Sequence, residues 1–116
     1  MPRSLLILVA VVGLASWAWR DHVAQQDGRW FAQHVKPGDI RMISSETCPW
    51  CLAARRWFYE HDVPYSDCVI ERDTRCAAEY VALGAVGTPT FVVRGQRVIG
   101  FDRLRIMNLL GGPAPG

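Results

Sequence analysis

Two sulfurs stand at the point where this chain changes from strand-like to helix-like patterning. From Asp39 to Ser44 the residues alternate, with Ile40, Met42 and Ser44 set against Arg41 and Ile43, whereas from Pro49 onward Cys51, Ala54 and Phe58 recur at helical spacing. Cys48-Pro49-Trp50-Cys51 occupies the junction. Proline suits a first helical position because the N–H it lacks would have no intrahelical partner. A thiol at a helix start faces unpaired backbone N–H groups and the positive end of the helix dipole, and both favour thiolate over thiol. Cys48 is therefore the candidate nucleophile. Cys51, three positions along the same helical side, is placed to attack a mixed disulfide formed on Cys48. That is two-step thiol–disulfide exchange. An unperturbed thiol is only a few per cent ionised at neutral pH, so stabilisation at the helix terminus is what makes such exchange fast.

The chain around the motif predicts a small α/β unit. A helix over Pro49 to His61 is followed by Pro64, a strand over Tyr65 to Ile70, and a helix over Thr74 to Leu83 capped by Asp73 and closed by Gly84. Thr90 to Val93 and Arg97 to Phe101 form two short strands around Arg94-Gly95-Gln96, and Asp102 caps a last helix carrying Leu104, Met107 and Leu110. Two strands joined by a helix lie parallel and a hairpin adds antiparallel ones, giving a four-stranded mixed sheet flanked by helices. His22, His34 and His61 are scattered; Trp57, Phe58, Tyr59 and Tyr80 read as core and rim. The tail from Gly111 to Gly116 reads as frayed.

Ser4 to Trp19 carries no charge and is bracketed by Arg3 and Arg20-Asp21, which marks an export segment, and the rest of the chain is too small to bury it as a core helix. Trp17, Trp19 and Arg20 look like an interfacial belt, favouring an uncleaved anchor; the alternative is a cleaved signal, with small residues around Gly13 to Ala15 and Ser16 to Ala18. Arg3 and the amino terminus favour the inner side. The chain thus divides into a signal-anchor or transmembrane segment (1–20), a linker or short helix (21–38) in which Val23, Phe31 and Val35 keep helical spacing, and a folded domain (39–116) beginning after Pro37-Gly38. The expected location is the inner membrane as a single-pass protein with a periplasmic domain, or the periplasm after cleavage. A formal charge of +2 with interspersed signs gives no reason to expect nucleic acid. A monomer is expected.

Cys68 and Cys76 tilt the chain towards an oxidising compartment. They read first as a stabilising disulfide, since a strand end and the next helix's first turn lie within bridging reach; a second redox pair and two buried thiols are the alternatives. For Cys48 and Cys51, a purely structural bridge would close too small a loop to add much stability, and zinc would need two more ligands that the spacing of Cys68 and Cys76 does not suit.

A CxxC opening a helix after a strand, followed about forty residues later by Thr88-Pro89 before a short strand, resembles the thioredoxin superfamily, and glutaredoxin most. Three features carry this: proline first between the cysteines in Cys48-Pro49-Trp50-Cys51, the loop Gly87-Thr88-Pro89-Thr90-Phe91, and Gly100-Phe101-Asp102 before the last helix. The resemblance covers Asp39 to Leu110. It implies a cis Pro89 facing the CxxC, a substrate-binding edge formed by Trp50, Thr88, Pro89 and Asp102, and exchange with protein thiols, protein disulfides or glutathione as cosubstrate, with no bound cofactor. Ser45 stands where glutathione-using members often carry a basic residue, and Arg103 follows Asp102 where a second acid is common, so Arg55 or Arg103 would be the substitute cations. A contrasting reading is a redox-inactive module whose groove beside Pro89 binds peptide.

Overall fold

The computed structural model describes residues 2–112. In order, the elements are α1 (Arg3–His34), β1 (Ile40–Ser44), α2 (Pro49–Glu60), β2 (Ser66–Val69), α3 (Thr74–Ala82), β3 (Thr90–Val93), β4 (Gln96–Ile99) and α4 (Arg103–Leu109). The four strands form one sheet in the order β2-β1-β3-β4. β1 and β2 are parallel, β1 and β3 antiparallel, and β3 and β4 antiparallel, so the mixed sheet follows the expected plan.

Alternation along β1 assigns the two faces. Ile40 and Met42 join Phe91, Val93 and Val98 beneath Ala54 and Phe58 of α2 and Ile106 and Met107 of α4. On the opposite face, Ile43 meets Cys68 and Cys76, with Ile70, Tyr80 and Leu83 packed around them. Cys68 and Cys76 are disulfide-bonded, with Cα atoms 5.4 Å apart, and join the end of β2 to the first turn of α3. Arg41 covers this cluster, its guanidinium on Glu79 at 2.8 Å and on the Cys68 sulfur at 3.0 Å.

Residues 21–34, expected as a linker or short helix, are helical and continuous with the apolar segment. The reason is tertiary. Gly28 and Phe31 of α1 are buried, as is Val35 just after it, and Phe31 packs edge-on against Trp57 with ring centroids 5.0 Å apart. Gly28 allows the closest approach: a Cβ there would sit 2.1 Å from Nδ1 of His61. Phe31 therefore belongs to the core, with Trp30 partly buried against it. Tyr59, by contrast, is exposed.

The hairpin is tighter than its sequence suggested. Gln96 pairs with Val93, leaving Arg94 and Gly95 as a two-residue turn with φ of 48° and 82°. Two consecutive positive φ values match the right-handed twist of the flanking strands, which is why two-residue turns of this kind favour glycine. At the chain's end Gly111, with φ of 86°, closes α4, and the Gly112 N–H donates to the Met107 carbonyl at 2.8 Å. The rest of the tail expected to fray, residues 113–116, lies outside the described residues.

Candidate functional site

Cys48 is the N-cap of α2, with extended backbone, and Pro49 takes the first helical position. The Cys48 sulfur accepts a hydrogen bond from the Cys51 backbone N–H at 3.1 Å, one of the donors that a helix start leaves unpaired. Its thiol donates to the Thr88 carbonyl at 3.3 Å, which bridges forty residues of sequence and brings the Thr88-Pro89 loop against the motif. The Thr88–Pro89 peptide is cis. Thr90 holds this loop from below, its hydroxyl donating to the Gly87 carbonyl at 2.7 Å.

The two thiols have opposite electrostatic settings. Partial burial pushes the Cys48 thiol upward, but hydrogen bonds from the Cys51 thiol, from the Thr88 hydroxyl and from the backbone N–H groups of Cys51 and Trp50 together outweigh it, and the net shift is below the ordinary 9.0. Cys51 is fully buried; burial, then its hydrogen bond to the Cys48 sulfur, pushes it up to about 11. One sulfur is thus prepared to ionise and the other to keep its proton until its neighbour no longer needs that hydrogen bond. A dithiol so polarised suits nucleophilic attack by Cys48 followed by resolution through Cys51.

Beside the sulfurs runs a cleft of about 330 Å³ lined by Trp50, Ala53, Thr88, Pro89, Gly100 and Phe101. Trp50 is 71% exposed and forms its open wall. Trp50, Thr88 and Pro89 therefore meet as the motifs implied. Asp102 does not line this cleft: its carboxylate caps α4, accepting from the Arg105 N–H at 3.1 Å, and borders a neighbouring depression. Phe101, expected as a strand end and as the middle of Gly100-Phe101-Asp102 but not as a site residue, is the wall between the two. Its place after Gly100 was the available signal, because that glycine takes φ of 81° and turns the chain away from β4.

Neither substitute cation is free. Arg55 donates to Asp67 at 2.6 Å and to the Ser44 hydroxyl at 2.8 Å. Arg103 lies 3.7 Å from Asp27 and stacks over Trp57. A second residue the sequence did not point to is Glu71. It accepts from the Ser45 hydroxyl and from the Glu46 N–H at 2.9 Å, tying the turn before Cys48 to the loop after β2. The Ser45 hydrogen bond holds the Glu71 carboxyl below its usual range. Among the described residues, no group of three or more His, Cys, Asp or Glu is arranged to hold a metal ion.

Residues 40–98 match the family model described as Glutaredoxin, a span running from β1 through the CxxC to β4. The chain belongs to the glutaredoxin family. Two crystal structures of a thioredoxin-like protein, BC3987, share the fold. One, of a single-residue mutant, is 23% identical with a TM-score of 0.57, covering 64% of this chain and 96% of that one. The other is 22% identical with a TM-score of 0.53, covering 60% and 97%. A crystal structure of wheat glutaredoxin aligns at 15% identity and a TM-score of 0.49 over 78% of this chain and 89% of that one. No curated protein matches the sequence significantly. Outside the glutaredoxin region, α1 is long and apolar enough to cross a membrane, and every residue from Pro2 to His22 is exposed.

Proposed function

We propose that this protein is a membrane-anchored thiol–disulfide oxidoreductase whose dithiol domain lies on the outer, periplasmic side of the inner membrane. The observation that carries the reading is the polarised pair at the start of α2, a depressed Cys48 thiol accepting the Cys51 N–H, with Thr88 opposite. Cys48 thiolate attacks one sulfur of a substrate disulfide; a Cys48–substrate S–S bond forms, the substrate S–S bond breaks, and the departing thiolate takes up a proton. Cys51 then loses its proton and attacks the Cys48 sulfur. The second substrate thiol leaves, and Cys48 and Cys51 end joined. Two electrons and two protons have passed from dithiol to substrate, and the same steps reversed oxidise a substrate dithiol. Direction follows the difference in reduction potential, with about 30 mV equivalent to 1.4 kcal/mol.

The substrate edge is the cleft of Trp50, Thr88 and Pro89, which would receive a cysteine-containing peptide or glutathione. The outward location is supported by the charge-free segment after Arg3 and by the Cys68–Cys76 disulfide, a bond at home in an oxidising compartment. Reduction of insulin or of glutathione disulfide tests the proposal. Cys48→Ser should fall to the uncatalysed rate, and Cys51→Ser should accumulate a mixed disulfide on Cys48 that dithiothreitol releases. A Cys48→Ser protein as active as the native one overturns the reading.

A further inference from the structure

The membrane helix does not hang from the domain by a tether. From Leu14 to Asp27 it contains neither glycine nor proline, and its last three turns are fastened by Gly28 against His61, by Asp27 at 3.7 Å from Arg103, and by the buried Phe31. No hinge separates the apolar segment from the site's scaffold.

The fastening also decides which end of the domain faces the bilayer. Asp27 meets Arg103 at the start of α4, Trp30 lies against Gly112 after its end, and Gly28 abuts His61 at the end of α2. The α1 residues nearest its apolar part that still touch the domain, Val23 and Asp27, lie against the start of α4. There, Val23 and Asp27 share a depression with Phe101 and Leu104, and Phe101 is also a wall of the cleft beside the CxxC. Residues 2–22 are exposed, so the helix leaves the domain at this edge. Val23 and Asp27 stand about 6 and 12 Å along the helix axis from Trp19, and Trp19 is a natural marker of the headgroup level. The α1 residues that share a depression with the groove wall thus stand within about a dozen ångströms of the headgroup level along the helix axis, with Trp50 and Leu104 exposed at 71% and 64%.

We infer that the groove beside Cys48 receives a cysteine pair presented at the bilayer surface by the juxtamembrane segment of a membrane-embedded protein. The inference rests on the exchange activity and outward anchoring proposed above. A rigid helix confines the sulfurs to a narrow layer. Cysteines within that layer meet Cys48 at high effective concentration, and cysteines held farther out do not reach it.

The test uses the full chain, pre-reduced, in phosphatidylcholine vesicles, so that its own dithiol supplies the two electrons. Three disulfide-closed probes carry the same cysteine pair: a synthetic transmembrane peptide with the pair just beyond its interfacial tryptophan, the same peptide lengthened there by about seven helical residues, or ~10 Å, and a water-soluble peptide. The partner protein variant carries seven helical residues between Asp21 and His22, which lifts the domain ~10 Å while turning it only about 20°. The native protein should reduce the near probe at least tenfold faster than the far one, the lengthened protein should reverse that preference, and both should reduce the soluble probe equally. Equal rates on near and far probes with native protein overturn the inference, as does an unchanged preference in the lengthened one. If the lengthened protein alone fails on the soluble probe it is misfolded, and the native near-to-far ratio decides. Failure of the native protein on the soluble probe overturns the exchange reading and this inference with it.

Discussion

Replacing Phe31 by alanine tests whether the second half of α1 is part of the domain. Phe31 has no exposed surface and packs edge-on against both Trp57 and Trp30, with centroids at 5.0 and 5.6 Å. Truncating a buried phenylalanine costs about 3 to 5 kcal/mol, the loss of transfer energy plus the cavity left behind, and the edge-on pairs place it towards the upper end. A domain of this size has only about 5 to 15 kcal/mol in all, so the substitution removes a large fraction of its stability. At roughly 4 to 8 °C per kcal/mol, the midpoint of thermal unfolding falls by at least about 12 °C. The assay is thermal and urea unfolding, followed by circular dichroism, of a soluble fragment starting at Arg20, which keeps every buried residue among those described. Phe31→Leu, retaining most of the apolar volume, costs about 1 to 2 kcal/mol. A fragment starting at Asp39, without Phe31 and Val35, should show no cooperative transition. A loss below about 1 kcal/mol for Phe31→Ala, or an Asp39 fragment as stable as the longer one, would refute the reasoning.

Further outcomes follow from the same geometry. Gly28→Ala alone destabilises the fragment, because overpacking against His61 costs about 1 to 3 kcal/mol and outweighs the gain of roughly 1 kcal/mol in helix propensity; in a His61→Ala background the change becomes stabilising, and urea midpoints of the four proteins reveal whether the sign reverses. Because the folded pKa of Cys48 lies below the ordinary 9.0, its alkylation by iodoacetamide, which needs the thiolate, persists at lower pH than in an unfolded peptide and falls as pH drops through that lowered value. A titration midpoint at or above 9.0 contradicts the depressed thiol, and Cys51, at about 11, should contribute no second phase below pH 9.0. Removing the bridge by Cys68→Ala with Cys76→Ala, which opens a loop of sequence separation 8, costs about 2.5 kcal/mol by loop-closure entropy. Exchange by Cys48 and Cys51 should survive it, since the bridge lies on the other face of the sheet; loss of exchange in a folded protein would show coupling between the two pairs.

The asymmetry between Cys48 and Cys51 arises from one local fact and one distant one. The side chains of Cys51 and Thr88 lower Cys48 most, and the helix start adds backbone N–H groups that any cysteine before proline at such a junction obtains. The burial that raises Cys51 comes from its place inside the fold, where it has no exposed surface, and outweighs a Thr88 hydrogen bond that lowers it. A variant that loosens the loop at Thr88 should therefore raise the Cys48 thiol without touching either cysteine.

Short-range patterns were legible in the residues alone because they depend on short-range geometry. Alternation along Ile40 to Ser44, proline after Cys48, the caps at Asp73 and Asp102, and the apolar run after Ser4 each act within a turn or a strand, and β1, α2, α3, α4 and the apolar helical segment lie where those signals put them. The strand order, the hairpin turn at Arg94-Gly95 and the fate of residues 21–34 were decided at longer range. In that last segment Gly28 lowers helix propensity, and only contact with His61 and Trp57 makes its conformation favourable. Glu71 and Phe101 became site residues in the same way, by which loop lies against which. Local free energies write themselves into neighbouring residues, whereas packing partners are chosen by the whole chain's search for burial, and no single stretch of sequence carries that choice.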